Sequence, residues 1–232
     1  MALYTISDLH LPLGVDKPMN IFGSAWENYV ERLHDNWQSV VGDEDTVVLG
    51  GDFSWATYLD EARADFEFIG KLRGRKILLK GNHDYWWETA TKLRKYVVQN
   101  GWENIFVLHN NFYTEGDIAI CGTRGWVVPQ LMKNADDRRI YERELGRLRL
   151  SVETAKKSGA QKIYVFLHYP PVLADRVTNP MTKFLEEEHI ERCYFGHIHK
   201  SSVKNAFCGT LNSVEYRLCS GDYLGFMPIK IT

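Results

Sequence analysis

Three times between residues 3 and 98, a short apolar run gives way to a longer stretch with apolar side chains at helical intervals. Leu3-Tyr4-Thr5-Ile6-Ser7 precedes residues 24–41, where Trp26, Tyr29, Val30, Leu33, Trp37 and Val40 share a helical face. Thr46-Val47-Val48-Leu49 precedes residues 56–72, with Ala62, Phe66, Ile69 and Leu72 directed inward, and Lys76-Ile77-Leu78-Leu79-Lys80 precedes a helix over 86–98. Repeated units of this kind predict a largely parallel sheet with helices covering its faces.

The second half reads differently. Residues 105–108, 111–114 and 117–121 are short strands separated by turn-forming residues, expected to pair antiparallel. A charge-rich helix is predicted over 132–158, with Ile140, Leu145, Leu148, Val152 and Ala155 inward. Strands at 162–167 and 192–195 flank a short helix near 180–188, and residues 203–232 read as several hairpin strands. With no linker or internal repeat, the expectation is one α/β domain over 1–232 that carries two mixed sheets and outer helices.

A chain of 232 residues can bury a core of that kind without staples. Its four cysteines, at 121, 193, 208 and 219, form no Cys-x-x-Cys pair, and each lies in or beside an apolar run, which predicts reduced buried thiols. The net charge of -2 gives no basic footprint for nucleic acid. The N-terminus enters a strand pattern at once, and no apolar run approaches the ~18 residues of a membrane span. A cytoplasmic protein is expected, with no membrane partner; the sequence names no protein partner.

The ends of the predicted strands carry the chemistry. The first ends in Asp8-Leu9-His10, the second in Gly50-Gly51-Asp52, and the third in Gly81-Asn82-His83-Asp84. Later strands end in His168-Tyr169-Pro170 and Gly196-His197-Ile198-His199. In an open α/β sheet the carboxyl ends of the strands line the ligand crevice, so these groups should converge. Taken singly, Asp8 and Asp52 could be turn or cap residues, Asn82 a turn residue, Asp84 a helix cap and His168 a core histidine. Taken together they would require five coincidences at the same place in the fold. His34, His109 and His189 fall outside the pattern and read as surface or locally bonded.

Carboxylates, an amide oxygen and imidazoles suit divalent transition ions such as Mn, Fe, Zn or Co. Seven candidate ligands exceed what one catalytic ion takes, and suit two ions roughly 3.5–4 Å apart that share a carboxylate. Gly51, Gly81 and Gly196 stand where the backbone must turn or approach a ligand.

The order Asp8-x-His10, Gly51-Asp52, Gly81-Asn82-His83-Asp84, His168 and Gly196-His197-x-His199 resembles the calcineurin-like metallophosphoesterase superfamily over residues 8–199. The resemblance implies a four-layer α/β/β/α sandwich. It implies that Asp8, His10 and His199 hold one ion, that Asn82, His168 and His197 hold the other, and that Asp52 bridges them. It further implies that His83 is no ligand but faces the substrate phosphate, with Asn82 beside it; Asp84 either orients His83 for catalysis or caps the next helix. The expected reaction is attack of a metal-bridging hydroxide in line on phosphorus, with His83 stabilising the transition state or protonating the leaving oxygen.

The superfamily's Ser/Thr protein phosphatases carry Gly-Asp-x-x-Asp-Arg-Gly in the second motif. Here the sequence is Gly51-Asp52-Phe53-Ser54-Trp55-Ala56-Thr57, which points instead to a phosphodiesterase or small-molecule phosphatase acting on a phosphoester. A nuclease, a nucleotide pyrophosphatase or a non-catalytic metal-binding scaffold are the alternatives. Trp55 and Trp126, in loops, are candidates for stacking on substrate, and Arg124 for meeting its phosphate through the guanidinium fork. Each of these three has a packing or ion-pairing alternative. The 132–158 helix is most simply a solvated amphipathic helix, with a cleft cap or an oligomer contact as the other options.

Overall fold

Alternate residues of the apolar runs bury on opposite faces, and this period of two builds the layers. The computed structural model describes residues 1–232. The first part of the chain runs β1 (Leu3–Ile6), α1 (Tyr29–Val40), β2 (Thr46–Leu49), α2 (Arg63–Lys71), β3 (Arg75–Leu78), α3 (Ala90–Gln99) and β4 (Ile105–Val107). It continues through β5 (Tyr113–Glu115), β6 (Ile118–Thr123), α4 (Ala135–Lys157), β7 (Lys162–Leu167), α5 (Pro180–Glu187) and β8 (Arg192–Phe195). It ends with β9 (Gly209–Leu211), β10 (Val214–Leu218) and β11 (Ile229–Lys230).

The strands form a five-stranded sheet, β11-β1-β2-β3-β4, and a six-stranded sheet, β5-β6-β7-β8-β10-β9. Leu3, Val48 and Ile77 of the first sheet meet Ile118, Ile120, Tyr164 and Phe166 of the second in one buried cluster between the sheets. Their neighbours Tyr4, Val47, Leu49 and Leu78 point the other way, into a core with Leu33 and Trp37 of α1, Phe66 of α2 and Leu93 of α3. On the far side, Cys121, Val165 and Phe195 pack against Leu148 and Val152 of α4 and Phe184 of α5. Three buried layers between four structural ones make the α/β/β/α sandwich.

The structure corrects several expectations. The 105–108 segment is not antiparallel to its successors. It is β4, parallel to β3 with Ile77 opposite Phe106, because α3 returns the chain in the same direction as the earlier crossovers. Only β5 and β6 form the expected antiparallel hairpin, with Tyr113 opposite Ile120. The tail is divided: β9 and β10 form a hairpin, β10 also lies parallel to β8, and β11 crosses to the first sheet beside β1.

Helix starts also shift. α1 begins only at Tyr29, since Asn28 takes a left-handed conformation (φ 48°) and Met19–Phe22 and Ser24–Trp26 form 3-10 turns. Residues 57 and 58 donate their amides to the Glu61 carboxylate in a turn that delays α2 to Arg63. α3 starts at Ala90 under a Thr89 cap whose side chain accepts from the Lys92 amide, so Asp84 does not cap it. In α4, Ile140 is half-buried while Tyr141 and Glu144 face inward. Three of the cysteines are buried and Cys208 is exposed, because it follows a 3-10 turn rather than lying in a strand; all four are free. No helix is long and apolar enough to cross a membrane.

The two sheets meet where β1 ends. The Ser7 amide donates to the carbonyl of Cys219 beyond β10 (2.8 Å), and the Asp8 amide donates to the carbonyl of Gly51 beyond β2 (2.9 Å). This seam positions the site.

Candidate metal centre

At the seam, five chain segments deliver their ionisable residues to one place. Asp8, His10, Asp52 and His197 all have positive φ, between 45° and 70°. For residues other than glycine this conformation is uncommon and costs on the order of 1 kcal/mol, and it concentrates at functional sites. All four belong to the two clusters of candidate ligand atoms. Close approach completes the packing: a Cβ on Gly81 would lie 2.1 Å from Asp52 Oδ1, and one on Gly196 2.3 Å from Asp8 Oδ2.

Two groups result. The ligand atoms of Asp8, His10 and His199 lie within 4.8 Å of one another, as do those of Asp52, His168 and His197. Asn82 joins the second group, its Oδ1 2.7 Å from His168 Nε2, which is also 3.4 Å from Asp52 Oδ2. His10 Nε2 stands 3.8 Å from the other side of the arrangement, at Asp52 Oδ2, so Asp52 touches both groups. Ile198, between the two histidines of its motif, is buried in the core of the second sheet.

Two of the histidines, His168 and His199, are oriented by a partner behind the ring. The Gly50 carbonyl lies 3.1 Å from His168 Nδ1, and the Asp222 carboxylate 2.8 Å from His199 Nδ1, which leaves Nε2 of both rings facing the centre. Ser7 Oγ donates to Asp8 Oδ2 (2.6 Å), and Tyr29 Oη donates to the His10 carbonyl (2.6 Å).

The electrostatics follow from burial opposed by pairing. Burial alone would raise the Asp8 carboxyl, but His199, His168 and His10 hold it well below the usual range. Asp52, also raised by burial, is pulled down to about 2 by His168 and His10. Burial lowers the imidazole of His10 to about 4 and, together with the charge of His168, that of His197 to about 3. For His168 and His199 burial is outweighed by Asp52 and Asp8, and they rise to about 9 and about 10.

These residues fit a pair of divalent transition ions. The buried carboxylates Asp8 and Asp52 have imidazoles as their only ion partners, with no Lys or Arg. His10 Nδ1 is buried without a hydrogen-bond partner. Oxygen and imidazole nitrogen donors converge from both sheets, the donor chemistry such ions select.

Around the centre is a cavity of about 600 Å³. His83 lines it, half-buried, with its ring 4.9 Å from Trp55 and 5.6 Å from His10, while its backbone amide donates to Asp52 Oδ1 at 2.7 Å. Trp55 stacks on His10 at 4.6 Å, and Met19, Phe22, Trp26 and Trp55 form an apolar wall facing the histidines.

Not every candidate reaches this cavity. Arg124 turns toward α4, 3.8 Å from Glu144, and stacks on Trp126; neither residue lines the cavity. Trp126 Nε1 donates to Asp137, and its ring packs on Tyr169. Asp84, fully buried, accepts from the amides of Gly81 (2.6 Å), Asp52 (3.0 Å) and Phe53 (2.9 Å) and from Trp86 Nε1 (3.1 Å). It ties the second and third motifs together and makes no hydrogen bond to the His83 side chain. Burial, then the charge of Asp52, pushes its carboxyl up to about 6.

Sequence reasoning missed Asp222. The signal was present, since Ser220-Gly221-Asp222 follows a parallel strand as the other motifs do, but that strand read as part of a hairpin.

The calcineurin-like phosphoesterase family matches residues 1–201. Among solved structures, a protein of unknown function from Aquifex aeolicus superposes with a TM-score of 0.57 at 17% identity, covering 99% of this chain and 95% of its own. The phosphopantetheinyl hydrolase of Mycobacterium tuberculosis superposes with a TM-score of 0.61 at 13% identity, with the same coverage of 99% and 95%. At such identities the likeness concerns the fold. No curated protein matches the sequence significantly.

Proposed function

This chain belongs to the calcineurin-like phosphoesterase family, and from that membership and the geometry above we propose that it is a dimetal-dependent phosphoester hydrolase. The observation that carries the reading is the meeting of two ligand groups at Asp52 in the same cavity as the non-ligand His83. A scaffold that only held ions would need the ligands but not that histidine.

When bound, two divalent ions supply Lewis acidity toward phosphate oxygens and a nucleophile from water near neutral pH. The chain does the rest. Asp8, His10 and His199 would hold one ion and Asn82, His168 and His197 the other, with Asp52 within reach of both groups. Gly50 and Asp222 fix the ring orientations. The His83 ring, held over the cavity beside Trp55, is placed to protonate the leaving oxygen or to stabilise charge on the phosphoryl group.

The leaving group meets Met19, Phe22, Trp26 and Trp55. An apolar wall beside a phosphoryl site suits an aryl or other largely apolar alcohol, so a phosphodiester or a small organic phosphate is the substrate class. The phosphopantetheinyl hydrolase with this fold is in keeping with that class.

The test is a Mn-supplemented assay on aryl phosphomonoesters and diesters, comparing the unmodified chain with His83→Ala and Asp52→Asn. Loss of the histidine is expected to lower kcat about 10²–10⁴-fold. Near-normal rates in both variants would overturn the assignment, and bound metal without hydrolysis in the unmodified chain would favour the scaffold.

A further inference from the structure

A second cavity, about 230 Å³, lies beyond the ends of β3, β4 and β6 against α4, and shares no lining residue with the one at the metal centre. Lys80, His109, Arg124, Arg143 and Arg147 line it, with Glu144 as the one carboxylate.

Glu144 is 1% exposed, and its oxygens are already occupied. Oε2 accepts from Thr123 Oγ1 at 2.6 Å; Oε1 accepts from Arg147 at 2.8 Å and Arg143 at 3.2 Å, with Arg124 at 3.8 Å. Lys80 has no carboxylate partner, and its ammonium donates to the Trp87 carbonyl at 2.9 Å. Arg94, donating to the carbonyls of Val107 and His109, adds a further cation beside the rim.

An ion-pair network that served only packing would balance its charge. Here three arginines converge on one buried carboxylate and Lys80 stands beside them without one, in a concavity whose walls focus their field. Arg143 and Arg147 spend one or two N–H groups each on Glu144, and both remain partly exposed with donors to spare. Several guanidinium forks and an ammonium around a small polar hollow match the tetrahedral oxygens of a phosphate group.

We propose that this cavity is a binding site for a phosphate-class oxyanion, distinct from the metal centre. The two sites are mechanically joined, because the Arg124 carbonyl accepts from the amides of His168 (3.1 Å) and Tyr169 (2.9 Å), and Lys80 precedes Asn82 by two residues. The occupant is either free phosphate or a second phosphate on the molecule held at the metal centre.

Calorimetric titration of the metal-loaded full chain with inorganic phosphate, repeated after chelation, tests the site. One phosphate per chain is expected to remain bound without metal. Arg143→Ala/Arg147→Ala should weaken that binding at least tenfold, as should Lys80→Gln should the double variant not fold. Glu144→Gln, which removes the competing anion, should tighten it, a sign that simple structural damage would not give. No binding after chelation, or equal affinity in the arginine and lysine variants, overturns the proposal.

The source of the anion is read from KM. A tenfold rise in the double variant confined to a substrate bearing a second phosphate identifies that phosphate as the occupant, whereas unchanged KM for all substrates identifies the free anion. This kinetic arm rests on the phosphoesterase reading. The calorimetric arm needs no turnover, so failure of either idea is distinguishable from failure of the other.

Discussion

The carboxylate of Asp222 lies 2.8 Å from His199 Nδ1 while the opposite nitrogen of the same ring faces Asp8 at 3.2 Å. A residue near the end of the chain thereby orients the candidate ligand His199 toward Asp8, near its start. Asp222→Ala is expected to reduce metal affinity about 10–100-fold, with Asp222→Asn intermediate because it keeps an acceptor. Competition against a chromophoric chelator measures both; unchanged affinity in the alanine variant would remove Asp222 from the centre.

Metal uptake should release protons. In the metal-free chain both nitrogens of His168 and of His199 face oxygens, and the rings titrate at about 9 and about 10, so both are charged at pH 7. His10 and His197, at about 4 and about 3, are already neutral there. A ligand must be deprotonated to bind. Loading at pH 7 should therefore release close to two protons per chain, and affinity should increase as pH rises. A pH-stat titration with Mn or Zn reads this directly, and zero release would contradict it.

Two glycines should respond oppositely to alanine. At Gly81 the new Cβ would meet the Asp52 backbone nitrogen at 2.2 Å, so Gly81→Ala should displace Asp52 and abolish metal binding. Gly146, within α4, has nothing within 4 Å of the added methyl. Gly146→Ala should stabilise the fold by about 0.5–1 kcal/mol, visible in urea unfolding.

Asp65 supplies a pH signature remote from metal. It is buried, accepts from the Leu13 amide at 2.9 Å and from the Ser54 hydroxyl, and burial pushes its carboxyl up to about 7 despite those bonds. The folded chain therefore holds a proton that the unfolded chain gives up near pH 4. The stability contributed by that proton is complete below pH 4 and is lost as pH rises through 7. Asp65→Asn, which mimics the protonated form, should flatten this decline and leave the protein at least as stable at pH 8. Parallel stability–pH profiles for the two proteins would refute it.

Legibility in the sequence tracked whether a feature depended on local pattern or on distant partners. Asp8, Asp52, Asn82, His168 and His197 each follow an apolar strand, and parallel pairing carries strand ends to one edge, so a local pattern sufficed to bring them together. Asp222 obeys the same rule, but β10 joins β8 through 3-10 turns and a hairpin strand instead of a helix, and a turn-rich tail does not advertise parallel pairing. Asp84 looked like a cap because capping is local; the amides that claim it come chiefly from residues 52 and 53 on another loop. Glu144 sits on a charge-rich helix and reads as solvated, yet Thr123 and its arginines bury it.

The seam at the end of β1 has a mechanical consequence. Asp8, His10, Asp52 and Asn82 hang from the five-stranded sheet, and His168, His197 and His199 from the six-stranded one. Each candidate ligand group draws on both, so an ion held there would act as a rivet through the two halves of the sandwich. With it bound, the halves would not slide or part without stripping it, and occupancy of the centre would be linked to cohesion of the sheets.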